Sequence, residues 1–208
     1  MCGRYSLGLS WEELASQWHL TSAPSPPWSP RYNIAPGQDI LAIGNDAGGE
    51  PTAVWVRWGY PMRGRMLINA RQENLLTKAL YRDAVEWQRA VVPADGFYEW
   101  AKSSKQPFRF VGPGPLNIAG LLLRSAEAPL WRIVLITCAA SRWMEGIHSR
   151  MPWLLTSDQV PLWLDRSSAQ YRALVPKEDV VLTHYPVSKQ LNSSQADSPE
   201  LIAQVPDS

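Results

Sequence analysis

Apolar and polar positions recur with two different periods along this chain, and the switches between them mark its elements. In "SWEELASQWHL" the residues Trp11, Leu14, Ala15 and Trp18 fall at helical spacing, and Ser10 with Glu13 forms a capping box. A helix is therefore expected to start there and pack on the core. Residues 21–37, "TSAPSPPWSPRYNIAPG", hold five prolines and predict an extended strap rather than a regular element. Residues 40–43 and 54–58 read as strands around a turn at "NDAGGEP". In "LINARQENLLTKALYRDAVEW" a short apolar run gives way to a helical pattern.

The middle of the chain is rich in strands. "AVVPADGFYEWAKSSKQPFRFVG" predicts a hairpin with arms at residues 97–102 and 107–111, and "LNIAGLLLR" and "WRIVLITCAA" read as buried strands. Short caps introduce helices near residues 156–164 and 168–174. A last helix, 198–205, is expected to start at Ser198 with Pro199 in its first position. The sum is an α+β fold, one domain over residues 1–208. Its core, about 2–190, is a mostly antiparallel sheet or barrel with peripheral helices.

Composition narrows the function classes. With 20 basic and 19 acidic residues the formal net charge is +1, so an anionic partner has to be met by a local cluster rather than by the overall field. That cluster would be arginine-built: the chain has 15 Arg and 5 Lys, and the planar guanidinium matches phosphate bidentately. No run of eighteen apolar residues exists and no signal-peptide layout opens the chain, which predicts a cytoplasmic protein without a membrane partner. Cys2 has no apolar leader before it and position 2 is not Gly, so neither lipid anchor is expected. Cys2 and Cys138 lie far apart and His19, His148 and His184 are scattered, so no disulfide, metal site or cofactor is expected.

The candidate chemistry begins at "MCGRY". Removal of Met1 would leave Cys2 with a free α-amine and a thiol on adjacent carbons. The α-amine titrates at about 7.7–8.0 against about 10.4 for lysine, so near neutral pH far more of it is nucleophilic. Its natural electrophile is an aldehyde: the amine forms a Schiff base, the thiol closes on it, and a five-membered thiazolidine results. Glu99 in "GFYEW" places a carboxylate between aromatics on a predicted strand, where it either points to solvent from an edge or, facing inward, is paired or shifted in pKa. His148 in "GIHSRMP" sits in a loop beside Arg150. Asn69 in "LINAR" stands where strand gives way to helix, with Arg71 after it.

Together "MCGRY", "RYNIAPG", "WGY", "LINARQE", "ADGFYEW", "IHSRMP", "WL" at Trp163 and Leu164, and "YPVS", in this order, resemble the SRAP (SOS response-associated peptidase-like) family. The resemblance runs from Cys2 to about Ser188. It implies a sensor of abasic sites in single-stranded DNA that crosslinks to the ring-opened sugar through Cys2 as a thiazolidine, with crosslink reversal and a minor lyase activity besides. Carried over by position, Cys2 is the nucleophile and Glu99 contacts its amine and assists proton transfer. His148 is then the acid/base that helps open the sugar, and Asn69 orients the cysteine and lesion. Arg4, Arg71 and Arg150 match positions that grip phosphates, and Trp100 shapes the same groove. The resemblance also implies a monomer that becomes nucleoid-associated on damaged DNA.

One segment departs from the family pattern. "WGYPMRGRMLINAR" is short and has no aromatic residue after Tyr60, where many bacterial members carry one or two further tryptophans. Met62 as a wedge, or Arg63 and Arg65 as phosphate contacts, are the candidates to replace base stacking there. Two rival readings stand beside the crosslinking one. The first is a self-processing thiol peptidase with Cys2 as nucleophile and Glu99 and His148 in support. The second is a non-catalytic single-strand binder using the tryptophans and arginines as a stacking groove.

Overall fold

Among the residues described by the computed structural model, 2–125, 131–144, 146–177 and 180–206, the chain forms fifteen strands and three α-helices. Strand β1 (Tyr5–Leu7) leads into α1 (Trp11–Trp18). There follow β2 (Arg31–Ile34), β3 (Asp39–Asn45), β4 (Pro51–Trp58), β5 (Tyr60–Met62), β6 (Arg65–Leu67), β7 (Asn69–Arg71) and α2 (Ala79–Trp87). Next come β8 (Arg89–Ala94), β9 (Gly96–Trp100), β10 (Pro107–Val111), β11 (Leu116–Leu123) and β12 (Arg132–Ala139). β13 (Arg150–Pro152), β14 (Leu154–Leu155), α3 (Gln159–Leu164) and β15 (Thr183–Pro186) complete the set.

Strands β12, β4, β3, β8 and β11 are neighbours in that order, and β11 pairs back onto β12, so the sheet closes into a barrel. Its pairings are antiparallel except that β4, and β7 after it, run parallel to β12. Every residue of β8 and β11 is buried, the continuous apolar reading of a strand covered on both faces. A second, antiparallel sheet has the order β15-β10-β9-β1-β2. The chain crosses between sheets at Asp95, where β8 ends and β9 begins. Asp95 secures that corner by accepting from Ser6 Oγ at 2.5 Å, Gly8 N–H at 2.7 Å and Arg109 Nη2 at 3.0 Å.

The mixed α+β class, the predicted hairpin (now β9 with β10) and the buried strands agree with the sequence reading. The capping box is present in full: Ser10 Oγ accepts the Glu13 N–H and Glu13 Oε2 accepts the Ser10 N–H. Four expectations need correction. The proline strap contains β2, because the prolines at 24, 26, 27, 30 and 36 flank residues 31–34 instead of interrupting them. Residues 168–174 form only a 3-10 turn, Gln170–Ala173. The final helix is not 198–205 but one 3-10 turn, Pro199–Ile202; beyond it Gln204 bridges to Val187 and the Val205 N–H donates to the Pro186 carbonyl, so β pairing ends the helix. The helix expected at 156–164 starts at Gln159.

Buried Arg89, at the start of β8, joins the helices to the barrel. Its guanidinium donates to the carbonyls of Val85 and Glu86 at 2.6 and 2.7 Å, in the last turn of α2. It also donates to those of Trp163, at 2.5 Å, and Asp165, at the end of α3. The cation thus satisfies two helix C-termini whose carbonyls carry the negative end of the dipole, and its face lies 4.0 Å from the Tyr171 ring centroid. Arg89→Met keeps the volume and strands these carbonyls. It should cost at least about 3 kcal/mol of stability, read as a lower urea midpoint at unchanged m-value. A loss under about 1 kcal/mol would show the helix ends to be satisfied without it.

Candidate functional site

Cys2 lies on the extension of β1. Tyr5 pairs with Phe97 and Ser6 with Gly96, and the Tyr98 N–H donates to the Arg4 carbonyl at 2.9 Å. Continued toward the N-terminus, this antiparallel register brings Cys2 to Glu99 and Trp100. Cys2 is fully buried and Glu99 is buried beside it. Burial first, and the Glu99 charge second, push the Cys2 thiol up to about 12, and its Sγ contacts the Arg4 carbonyl at 3.9 Å. On the other side, Asn69 Nδ2 donates to the Cys2 carbonyl at 2.9 Å. Asn69 Oδ1 is buried without a hydrogen-bond partner among the described residues, an acceptor available to an amine or hydroxyl.

Asn69 owes its place to β7. Leu135 N–H and Trp58 Nε1–H both donate to the Ile68 carbonyl, at 3.0 Å each, and Asn69, Ala70 and Arg71 align with Leu135, Ile136 and Thr137 of β12. Trp58 in turn packs on Tyr5, with ring centroids 5.6 Å apart. The glycine of "WGY" is required by this corner. Gly59 has φ of 109°, and a Cβ there would meet the Met66 sulfur at 2.5 Å.

The far end of β7 opens onto a second group. Arg71 is exposed, and β13 brings Arg150 opposite Ala139 across the other edge of β12. Arg150 Nη1 and Nη2 grip Glu73 at 2.8 and 3.0 Å, and Nη2 also donates to the Thr137 carbonyl at 2.6 Å. His148 Nδ1 lies against the Arg150 backbone, 2.9 Å from its N–H and 3.1 Å from its carbonyl oxygen, which fixes the ring beside β13. Hydrogen bonding to Arg150 is the main cause that holds the Glu73 carboxyl below its ordinary range, with the charges of Arg150 and Arg71 adding to it.

The remaining candidates surround these two groups. Arg4 is largely committed inside the protein: Nη1 donates to Asn33 Oδ1 at 2.6 Å and to the Leu191 carbonyl at 2.7 Å, and its guanidinium lies 5.8 Å from the Trp100 ring centroid. Trp100 Nε1–H donates to Asn192 Oδ1 at 2.7 Å, so residues 191 and 192 wall this side. Met62, Arg63 and Arg65 are exposed on the β5–β6 hairpin, whose turn residues Arg63 and Gly64 both have positive φ.

The structure thus gathers Cys2, Asn69 and Glu99 in one corner and His148, Arg71 and Arg150 at the end of β12, with β7 linking the two. Sequence reasoning missed Asn33, Glu73, Tyr5 and Trp58. Asn33 and Glu73 stand inside quoted motifs, "RYNIAPG" and "LINARQE", and an acid two places after Arg71 was the available signal. Among the described residues, no group of three or more His, Cys, Asp or Glu could hold a metal ion, and no helix is long and apolar enough to cross a membrane.

Comparison with known proteins agrees along the whole chain. A family model described as SOS response associated peptidase (SRAP) matches residues 1–194. The abasic site processing protein YoqW of Bacillus subtilis (strain 168) is 33% identical over 222 residues, covering 97% of this chain and 99% of the relative. The abasic site processing protein HMCES of Xenopus tropicalis is 32% identical over 173 residues, covering 66% of this chain and 50% of that one. A solved structure of a protein from Bacteroides thetaiotaomicron has the same fold, with a TM-score of 0.82 at 18% identity, covering 98% of this chain and 100% of that one.

The electrostatics of Cys2 can be tested directly. Glu99 raises the thiol pKa, so Glu99→Gln should lower it and increase the thiolate fraction at a given pH. Alkylation of Cys2 by iodoacetamide at about pH 8 should then accelerate by about threefold for each pKa unit, after allowing for the lower nucleophilicity of a more acidic thiol. Peptide mapping separates Cys2 from Cys138, which burial pushes up to about 11. An unchanged or slower rate would remove Glu99 from the thiol's environment.

Proposed function

We propose, on the premise that this chain belongs to the SOS response associated peptidase (SRAP) family, that it processes abasic sites in single-stranded DNA by forming a thiazolidine with Cys2. The observation that carries this reading is the placement of Cys2, fully buried beside the Glu99 carboxylate and held through its carbonyl by Asn69, an environment that pushes the thiol away from thiolate. A thiol peptidase needs the opposite, a thiol drawn toward thiolate by an imidazolium or a helix N-terminus. Once Met1 is removed, the better nucleophile near neutral pH is the α-amine, at about 7.7–8.0. The amine attacks first and the thiol closes second.

The step balances as follows. The α-amine adds to the aldehyde carbon of the ring-opened sugar, its two protons leave in turn by way of Glu99 and are returned through His148 to the carbonyl oxygen, and that oxygen departs as water, leaving a neutral C=N bond. The thiol then adds across the C=N bond: the C–S bond forms and the thiol proton goes to nitrogen. No oxidant or cofactor is consumed. Asn69 keeps residue 2 in register through its carbonyl and offers Oδ1 to the amine or to a sugar hydroxyl. A single strand presents such a sugar without the cost of unpairing a duplex. Arg71 and Arg150 face the flanking phosphates, and the hairpin with Met62, Arg63 and Arg65 extends the contact surface.

Two outcomes are expected. An uncleaved residue placed before Cys2 should abolish the heat-stable adduct with an abasic oligonucleotide while leaving the fold unchanged by circular dichroism. A stable adduct from that protein would refute the role of the amine. In the native context, His148→Ala should slow crosslinking, and Glu99→Gln should slow both crosslinking and release of DNA from a preformed crosslink. Each loss should be about 10²–10⁴-fold where proton transfer limits the rate, measured by gel quantification of the adduct over time. Wild-type rates in both variants would take these residues out of the mechanism.

A further inference from the structure

Arg150 is the phosphate-matching side chain at the end of β12, yet its fork is already filled. Both guanidinium ends point at one carboxylate, Glu73, at 2.8 and 3.0 Å, the bidentate geometry in which arginine also holds a phosphodiester. Glu73 lies in the 3-10 turn Gln72–Asn74 directly after β7, close enough to Arg71 to feel its charge as well. Two arginines on either side of β12 therefore share one internal anion. The pair is unequal in exposure: the Arg150 side chain is 17% exposed and that of Glu73 is 50% exposed. Arg150 is also tied by Nη2 to the Thr137 carbonyl at 2.6 Å, a bond that does not depend on Glu73.

We propose that Glu73 occupies the phosphate site of Arg150 in the free protein and sets the affinity for single strands by competing with the backbone phosphate that displaces it. This rests on the reading that the bound polymer is single-stranded DNA. When the carboxylate swings into solvent, the Thr137 bond keeps the guanidinium aimed, so an arriving phosphate meets a preorganised fork flanked by Arg71. An ion pair with one half-exposed partner is weak enough to exchange. Because the occupant is part of the chain, every strand meets the same competitor. A phosphate that can engage both nitrogens displaces it most readily, and loose contact of any anion with the arginines is disfavoured.

The test is equilibrium binding of a fluorescent single-stranded oligonucleotide without a lesion, so that trapping by Cys2 plays no part. Wild type, Glu73→Gln, Arg150→Ala and the double variant are compared at one salt concentration by anisotropy. Glu73→Gln should bind about twofold to fivefold more tightly than wild type, the range set by releasing an exposed ion pair. In the Arg150→Ala background the same substitution should have no effect. Unchanged or weaker binding by Glu73→Gln overturns the proposal. Equal tightening in both backgrounds also overturns it, since that is the general effect of removing a negative charge. Should Glu73→Gln fail to fold, Glu73→Asp, which keeps the charge but shortens its reach, must still tighten binding in an Arg150-dependent way. A wild-type protein that binds no single strand overturns this inference together with the proposed function. The expected binding pattern without any crosslink to abasic DNA would overturn the proposed chemistry alone.

Discussion

The three residues of β7, laid parallel on β12, fix the site. Asn69 opposite Leu135 reaches Cys2, and Arg71 opposite Thr137 reaches the arginine group. In an extended strand these two side chains emerge on the same face, about 7 Å apart along the chain. In the proposed reaction the residue that holds Cys2 and an arginine that meets the strand are thereby spaced by about one sugar–phosphate step, ~7 Å. Strand β12 supplies the rigidity, since it is paired along both edges by β4 and β7 on one side and β11 and β13 on the other. Parallel neighbours are evenly hydrogen-bonded but slanted, and the shared acceptor at the Ile68 carbonyl locks the entry to β7 against slippage.

The cysteine corner disfavours an ionised thiol. Burial and a neighbouring carboxylate both oppose a thiolate, and the opposition costs little if the first bond is made by nitrogen. In the proposed reaction the same carboxylate takes a proton from the amine. Under that proposal one residue, Glu99, both opposes the thiolate and serves the amine on the adjacent carbon.

Local signals carried much of the fold. The Ser10 capping box, the β9–β10 hairpin and the buried runs of β11 and β12 are set by neighbouring residues, and these were legible. Features that depend on distant partners were not. β7 is too short to show a period and exists because β12 lies beside it. The β5–β6 hairpin hides behind Pro61, which demotes a strand reading, although the Arg63–Gly64 turn was in plain view. Arg4 matches a phosphate position by resemblance, yet its Nη1 is occupied by Leu191, 187 residues away in sequence. Glu73 was quoted within its motif but given no part, because an acid near two arginines acquires one only when β13 delivers Arg150 across β12. His148 is likewise held by the backbone of Arg150 two residues on, a contact that spacing alone does not reveal.

In the proposed chemistry the α-amine and thiol of Cys2 capture an aldehyde together. Its most direct test is intact-mass analysis and peptide mapping after mixing the protein with a single-stranded oligonucleotide carrying one abasic site, with no reductant added. The account predicts a single adduct on the chain lacking Met1, with the combined mass of protein and oligonucleotide less one water, mapped to residue 2. An adduct on a lysine, an adduct on chains that retain Met1, or cleaved oligonucleotide with no adduct would contradict it.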